Sequence, residues 1–527
     1  MRTRIVHLFG AALIVAVAAM ALAGCYISLD EGAGAVGIRL PDPRQVLGDL
    51  FADTARIYVI NGAALLTVGE GTAYAEFALE PPDAPGERYT EYSVGPVPAG
   101  PGYRVVLVFG SYQSASALGS GGQAFVPSYY AVSDEFTVVA GRTTATNELG
   151  PRLTGFIPID PANTLGRNLV GVVAIGEDTE IGLDAAVYTA TATKLYKAQT
   201  SPEEYEEASF VEVGAVTGRT INGLSLGTQR RLSSPLVEPS VWVNTTNGIL
   251  VGDDLDGSIM VGSQLTGVSM LGSGAFPTAN TLVDLSVVHS YGYVQFSGGL
   301  SAVRLRQIGD NDPEWDWIDP VDLSEIITGR PILDLDVEDA FGGSLPRING
   351  FFASKLGAFR LMQGIFEEAP QSTAAFLASP SAQFFNVAID GQAANVTNVA
   401  VVNNAAREPQ HLYVGTPRGA LRVSLVDLEA ALDTEGMGAV AGLFIDESRG
   451  QAVRMIEAAG ELVVIVTSHF LLYSTNAGDE APTFHEIPLY ASSAGEVTGM
   501  LLVPVPGSPI ALISGTEGLA GITLGDQ

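Results

Sequence analysis

The sequence is short of sulfur, of cations and of long apolar stretches. Its 527 residues include one cysteine, Cys25, which excludes a disulfide framework and leaves stability to buried apolar surface. Lysine and arginine total 26 against 58 aspartates and glutamates, for a formal net charge of -32, and the only lysines are Lys194, Lys197 and Lys355. Phosphate backbones are held by clustered cations that displace counterions, so nucleic acid is excluded as a partner. Histidines are few and far apart: beyond His7 there are His289, His411, His469 and His485, and no zinc-ligand spacing occurs. After the first 25 residues every apolar run is broken within a few positions by Gly, Pro or a charge, so none reads as a membrane span. Charged residues make up only 16% of the chain while hydrophobic ones reach 47%. Disordered chains show the opposite balance. With 61 glycines, the composition predicts a folded body of β-structure rich in tight turns.

The N-terminus carries Arg2 and Arg4, an apolar run from Leu8 to Ala23, and then Leu22-Ala23-Gly24-Cys25. Small residues before a cysteine suit a peptidase that cradles them closely, and the thiol can take a diacylglycerol. This segment resembles the signal and lipobox of bacterial lipoproteins. The resemblance implies a signal peptide over residues 1–24, lipid attachment at Cys25, and a membrane partner reached through that lipid. Tyr26 stands where an aspartate would signal inner-membrane retention, so the expected location is the cell envelope, at the outer membrane, facing the periplasm or the surface. Residues 25–52 contain Gly32, Gly34, Gly37, Pro41 and Pro43 and read as a flexible tether. Gly32 to Gly37 formally matches GxGxxG, but no strand precedes it and no helix follows, so no dinucleotide site is expected.

Residues 53–149 alternate short β-rich runs with turns. Arg56-Ile57-Tyr58-Val59-Ile60 ends at Asn61-Gly62, a hairpin signal. A Pro/Gly turn feeds Tyr103-Arg104-Val105-Val106-Leu107-Val108-Phe109, and Phe136-Thr137-Val138-Val139-Ala140-Gly141 closes the segment. This stretch resembles immunoglobulin-like or prealbumin-like sandwich modules, which implies a spacer or recognition surface.

From residue 150 to 527 a weak repeat recurs: strand, turn, strand, Gly-containing turn, strand. Copies start at Leu282, Val396 and Val497, with fainter ones near Leu169, Ile221, Ile332 and Val453. The spacing is roughly 45 to 65 residues, and a small twisted sheet of that size is stable only when packed against others. The pattern resembles β-propeller proteins and implies about seven blades, without a WD, kelch or tryptophan-docking signature. The fold class expected is therefore all-β, an immunoglobulin-like sandwich followed by a propeller. Val321–Ile327 and Val426–Leu432 share a Val-Asp-Leu opening and helical spacing, and read as insertions at blade edges.

No catalytic set assembles in the sequence. Gly223-Leu224-Ser225-Leu226-Gly227 matches GxSxG, but no helical pattern follows, so Ser225 reads as strand and turn. The densest acidic run holds Asp310, Asp312, Glu314, Trp315, Asp316 and Trp317. Alternate oxygen ligands suit calcium, and tryptophans beside carboxylates suit a sugar ring, so these six are the candidate ligand-binding residues and calcium the candidate cofactor. Gly252-Asp253-Asp254-Leu255-Asp256-Gly257 is a weaker calcium-loop match. In Asp334-Leu335-Asp336-Val337-Glu338, period two puts carboxylates on one strand face. The function these readings favour is a lipid-anchored envelope protein that binds or scaffolds an envelope or extracellular protein, or a glycan. The alternative is an extracellular glycosidase or lyase using carboxylates at a channel mouth.

Overall fold

The computed structural model describes residues 32–41, 52–69, 71–79, 89–114, 123–147, 149–159, 165–176, 184–230, 237–252, 255, 258–268, 270–275, 287–297, 299–308, 314–323, 332–337, 350–354, 357–361, 383–389, 391–406, 408–432 and 437–525. These fall into two compact units, and the chain passes from the first to the second after Thr154. Arg152 and Leu153 still pair with Tyr130 and Tyr129, so the first unit runs past the boundary expected at residue 149.

The first unit is a pair of sheets. One has three strands, Tyr89–Pro98, Ala33–Pro41 and Thr143–Ala145, and the other has seven, centred on Thr54–Asn61, Gly100–Ser114 and Gln123–Val132. Alternation sends Ala55, Ile57 and Val59 to one face and Val105, Leu107 and Phe109 beside them, and Val36, Ile38, Val94 and Val97 close the same core from the smaller sheet. Each such valine or isoleucine, fully removed from water, contributes about 2 kcal/mol. The Asn61-Gly62 signal is a two-residue hairpin: Asn61 pairs with Ala64, and Gly62 takes φ 55°, the left-handed backbone such a turn requires.

The tether reading of residues 25–52 needs correction over Ala33–Pro41. That segment pairs antiparallel with Tyr89–Pro98 and parallel with Thr143–Ala145. Val36 and Ile38, two apart, are 0% and 1% exposed, so burial fixes what the glycines alone would leave loose. The glycines themselves serve close approach. A Cβ on Gly34 would lie 2.4 Å from the Val139 carbonyl oxygen, and one on Gly37 would lie 2.9 Å from the Thr143 methyl.

Among its described residues the second unit contains seven sheets of four or more strands. Their first strands are Leu169–Ile175, Ile221–Arg230, Met270–Ala275, Ile332–Val337, Asn398–Asn403, Val453–Ala459 and Val497–Val503. Each of these touches the next in order, and the seventh touches the first, so the circuit is closed. The seventh sheet takes its three inner strands from the C-terminus and its outermost strand, Phe156–Ile159, from the start of the unit. Apolar residues on neighbouring sheets form the seams: Val187, Leu169 and Val172 of the first sheet share a cluster with Ile510, Leu512 and Leu519 of the seventh.

The repeat starts at 169, 221, 332, 396, 453 and 497 agree with these strands to within a few residues. The copy placed at 282 does not. Val287–Phe296 is one uninterrupted strand, paired with Met270–Ala275 on one side and Gly299–Ile308 on the other, so the third sheet begins at Met270. The expected helix at 426–432 is present as Leu425–Leu432, with Leu428 and Leu432 buried. Val321 and Asp322 instead end the strand Glu314–Asp322, and residues 324–327 lie outside the described residues. After the 425–432 helix, Met437–Ala441 pairs in parallel with Gln383–Ile389 of the fourth sheet, covering an edge that would otherwise be open to pairing with another chain.

Candidate functional site

The first strand of the fourth sheet reads Ile-Leu-Asp-Leu-Asp-Val, and period two turns Asp334 and Asp336 to the same side. Both reach across the seam to the fifth sheet. Asp334 Oδ2 accepts the Val399 N–H at 3.1 Å, and Asp336 Oδ2 accepts the Val401 N–H at 2.7 Å. Asp334 Oδ1 also accepts the Leu335 N–H at 3.0 Å. The strand Val453–Ala459 of the sixth sheet brings Glu457 within electrostatic reach of both. Three carboxylates from the fourth and sixth sheets are thereby gathered about the first strand of the fifth.

All three are partly accessible, while packed protein on the remaining sides removes most of their hydration. Burial is the largest influence on Asp334. The Val399 N–H opposes it and the Asp336 charge reinforces it, and the carboxyl is pushed up to about 7. Glu457 is raised well above the usual carboxylate range, first by burial and then by Asp334 and Asp336. Near neutral pH the cluster therefore retains protons that a solvated carboxylate would have lost. Asn398 also donates to the carboxylate of Asp334, and its amide nitrogen donates to the Arg454 carbonyl at 3.2 Å. Chemically, the set can hold and pass a proton and can accept hydrogen bonds from hydroxyl groups.

Sequence reasoning found Asp334 and Asp336 and missed Glu457, a single acid in an ordinary strand. Aligning the repeat copies locates it: a register shift follows Ile332 in one strand and Val453 in the other, which puts Glu457 at the position of Asp336. The other candidates are not brought to this cluster by the strand order. Cys25, Asp310 and Asp312 lie outside the described residues, as do Asp253, Asp254, Asp256 and Glu338. Of the acidic run, Glu314, Trp315, Asp316 and Trp317 belong to the outermost strand of the third sheet, opposite Ile308, Gln307, Arg306 and Leu305. Ser225 lies within the strand Ile221–Arg230, its Oγ accepting from Asn244 Nδ2 at 3.2 Å. His469 meets the Tyr490 hydroxyl at 2.6 Å and His485 stacks on Tyr473 at 5.0 Å. Among the described residues no three His, Cys, Asp or Glu side chains are placed to hold one metal ion.

Closed contact among first strands, with one sheet assembled from both ends of the unit, is the ring architecture of propellers. The second unit is β-propeller-like. No known family and no curated protein matches the sequence. Solved structures similar to it include YCF48 from Cyanidioschyzon merolae, at TM-score 0.43 and 9% identity, covering 70% of this chain and 98% of that one. The Dos1 propeller aligns at TM-score 0.38 and 8% identity over 71% and 94% of the two chains. The Pan2 WD40 domain of Neurospora crassa aligns at 0.38 and 8% over 69% and 91%. The assignment to the propeller class rests on the strand order and the closed circuit.

A repeat signature also emerges in the propeller. In the hairpin between second and third strands, the side chains of Thr245, Ser354 and Thr416 donate to the carbonyls of Gly248, Gly357 and Gly419 at 2.8, 2.8 and 2.7 Å. Thr467 makes the same bond to Phe470 at 3.0 Å. A hydroxyl residue bonded to the carbonyl three residues on is the local mark of these four blades, and in three of them that residue is glycine.

Proposed function

We propose that the chain is a lipid-anchored cell-envelope protein whose propeller, of seven blades, presents its loops to an envelope or extracellular protein or a glycan. The observation that carries this reading is the unbroken circuit of seven first strands closed by Phe156–Ile159 against Gly518–Thr523. A closed ring gives a rigid frame, and rigid frames carry recognition on their connecting loops. The Leu22-Ala23-Gly24-Cys25 lipobox supplies the anchor, and the first unit, taken as an immunoglobulin-like sandwich, serves as spacer. Metabolic labelling with a palmitate analogue should mark the wild-type chain and not Cys25→Ser. Cross-linking in cells followed by recovery from solubilised membranes should return one reproducible partner, and its absence with the anchored wild type would count against the proposal.

A second reading, an extracellular glycosidase or lyase, is favoured by one observation: the raised carboxyls of Asp334 and Glu457 beside Asp336, the environment in which one carboxyl stays protonated as a general acid. It requires turnover of a polysaccharide that Asp334→Asn abolishes. No turnover across a broad polysaccharide panel would discard it.

A further inference from the structure

The three carboxylates of the second unit are held unequally. Asp334 and Asp336 are tied to the fifth sheet, where their Oδ2 atoms accept the Val399 and Val401 N–H groups at 3.1 and 2.7 Å. Glu457, on the sixth sheet, has no hydrogen-bond partner among the described residues, and the charges that act on it are those of Asp334 and Asp336. Neutral bonds close the seam between the fifth and sixth sheets on either side of it: Asn398 Nδ2 donates to the Arg454 carbonyl at 3.2 Å, and the Asn403 N–H to the Gly460 carbonyl at 3.0 Å. Glu457 lies between those two points, on the strand Val453–Ala459.

No cation figures among the influences on Asp334 or Glu457. Among the described residues of the seven first strands the cations are Arg230 and Arg454. Arg454 Nη1 donates to Glu496 Oε1 at 2.7 Å, and Arg230 ends its strand opposite Val237 of the second sheet. Of the strands packed against those of Asp334, Val399 and Glu457, Met270–Ala275, Gly350–Ser354, Leu462–Thr467 and Val497–Val503 contain no titratable side chain. Pro409–Thr416 contributes His411 and Tyr413. Burial first, and then Arg422, hold His411 below its ordinary value, and burial raises Tyr413, so both stay neutral from about pH 6.5 to about pH 8.5. Across that range only the carboxylates of this group change charge. Protonated, they pack beside one another without repulsion. Ionised, Asp334 and Asp336 bind their N–H donors more strongly, while Glu457 faces two like charges in a setting that screens them poorly.

We propose that the seam between the fifth and sixth sheets is a proton-operated latch: while the carboxylates hold protons, Glu457 stays packed beside Asp334 and Asp336, and when the protons leave, like charges push its strand away. The seam between the fourth and fifth sheets, held by the two aspartates, stays closed. Because Asp334 is pushed up to about 7 and Glu457 well above the usual carboxylate range, release comes as pH rises through and beyond neutrality. The latch belongs to the ring itself, so its test stands apart from whether a partner is recovered or a polysaccharide cleaved.

The test is amide hydrogen exchange on the full chain in detergent at about pH 6.5 and about pH 8.5, each rate divided by the intrinsic rate at that pH. Protection in Val453–Ala459 should fall roughly tenfold between the two, while Ile332–Val337 and Leu169–Ile175 keep theirs. Glu457→Gln and Asp334→Asn, each close to the native side chain in shape and on different sheets, should each remove most of that fall. An equal fall in Leu169–Ile175 would mean that the whole ring loosens, and would overturn the proposal. So would an unchanged Val453–Ala459 in the wild type, or a fall that persists in both variants.

Discussion

At the scale of single residues, the acids and one arginine of the second unit carry its sharpest expectations. Asp334 has a higher pKa folded than unfolded, so the folded chain binds its proton more tightly. The resulting stabilisation is fully present below the ordinary value of 3.8 and is lost as pH rises through about 7. Glu457 acts in the same direction. Asp334→Asn keeps an acceptor for the Val399 N–H and removes the charge, so it should match wild type at about pH 4.5 and exceed it in urea denaturation at about pH 8.5. A mutant less stable than wild type at the higher pH would contradict the assignment. Arg360 is the counterpart among cations. It is 3% exposed, pairs with both oxygens of Glu429 and donates to Gln383 Oε1 at 2.7 Å. Glu429→Ala strands that charge and should cost roughly 2–4 kcal/mol, whereas Arg360→Met should cost less, since no buried charge is left behind. Period two made Asp334 and Asp336 legible in the sequence. Glu457 was not, because what makes it special is the circuit of strands that brings it near them, and no local pattern encodes that.

Elements were legible where an apolar run is bounded by turns and obscure where turn-forming residues sit within a strand. Leu462–Thr467 and Phe470–Ser474, buried throughout, and Val497–Val503 stand out as apolar runs bounded by turns. In the third sheet, His289, Ser290 and Gly292 fall where the copy starting at Leu282 has its first turn, yet they sit in mid-strand between two hydrogen-bonded neighbours, where backbone pairing overrides side-chain preference. Three of the fourth strands were missed because they are short: Phe156–Ile159 and His485–Pro488 have four residues each and Leu443–Phe444 has two. The strand at Ala33–Pro41 was hidden because its glycines mimic a linker, and only the pair Val36 and Ile38 marks it. Close packing of another glycine gives a test at this scale. A Cβ on Gly521 would fall 2.1 Å from Tyr205 Cε2, where the short 3-10 turn Pro202–Glu207 meets the last strand. Gly521→Ala should lose roughly 1–3 kcal/mol through overpacking. Combined with Tyr205→Leu it should lose less than the sum of the two single changes, and strict additivity in thermal denaturation would show that the contact is not what fixes this corner.

For the whole second unit, the physical question is what closure contributes beyond the sheets themselves. In an open stack each sheet packs on its neighbours and the two end sheets present a bare face. In the circuit here the first strand of every sheet has two such neighbours, and side chains on these strands bond backbone across the seams: Asn222 Nδ2 donates to the Val268 carbonyl at 2.8 Å, Asp334 accepts the Val399 N–H, Asn398 Nδ2 donates to the Arg454 carbonyl, and Thr498 Oγ1 donates to the Leu169 carbonyl at 2.6 Å. That last bond joins the end of the unit to its beginning across 329 positions, and the pairing of Phe156–Ile159 with Gly518–Thr523 holds the same seam. Truncation after Glu517 removes the Gly518–Thr523 strand and frees Phe156–Ile159, so it exposes the faces of two sheets at once. If the ring folds as one cooperative body, amide exchange should quicken in Leu169–Ile175 and Val453–Ala459 as well as in Val497–Val503, and the thermal transition should fall and broaden. Exchange that quickens in Val497–Val503 alone would mean that each blade is held by its own core, and that the joined ends orient the ring without stabilising it.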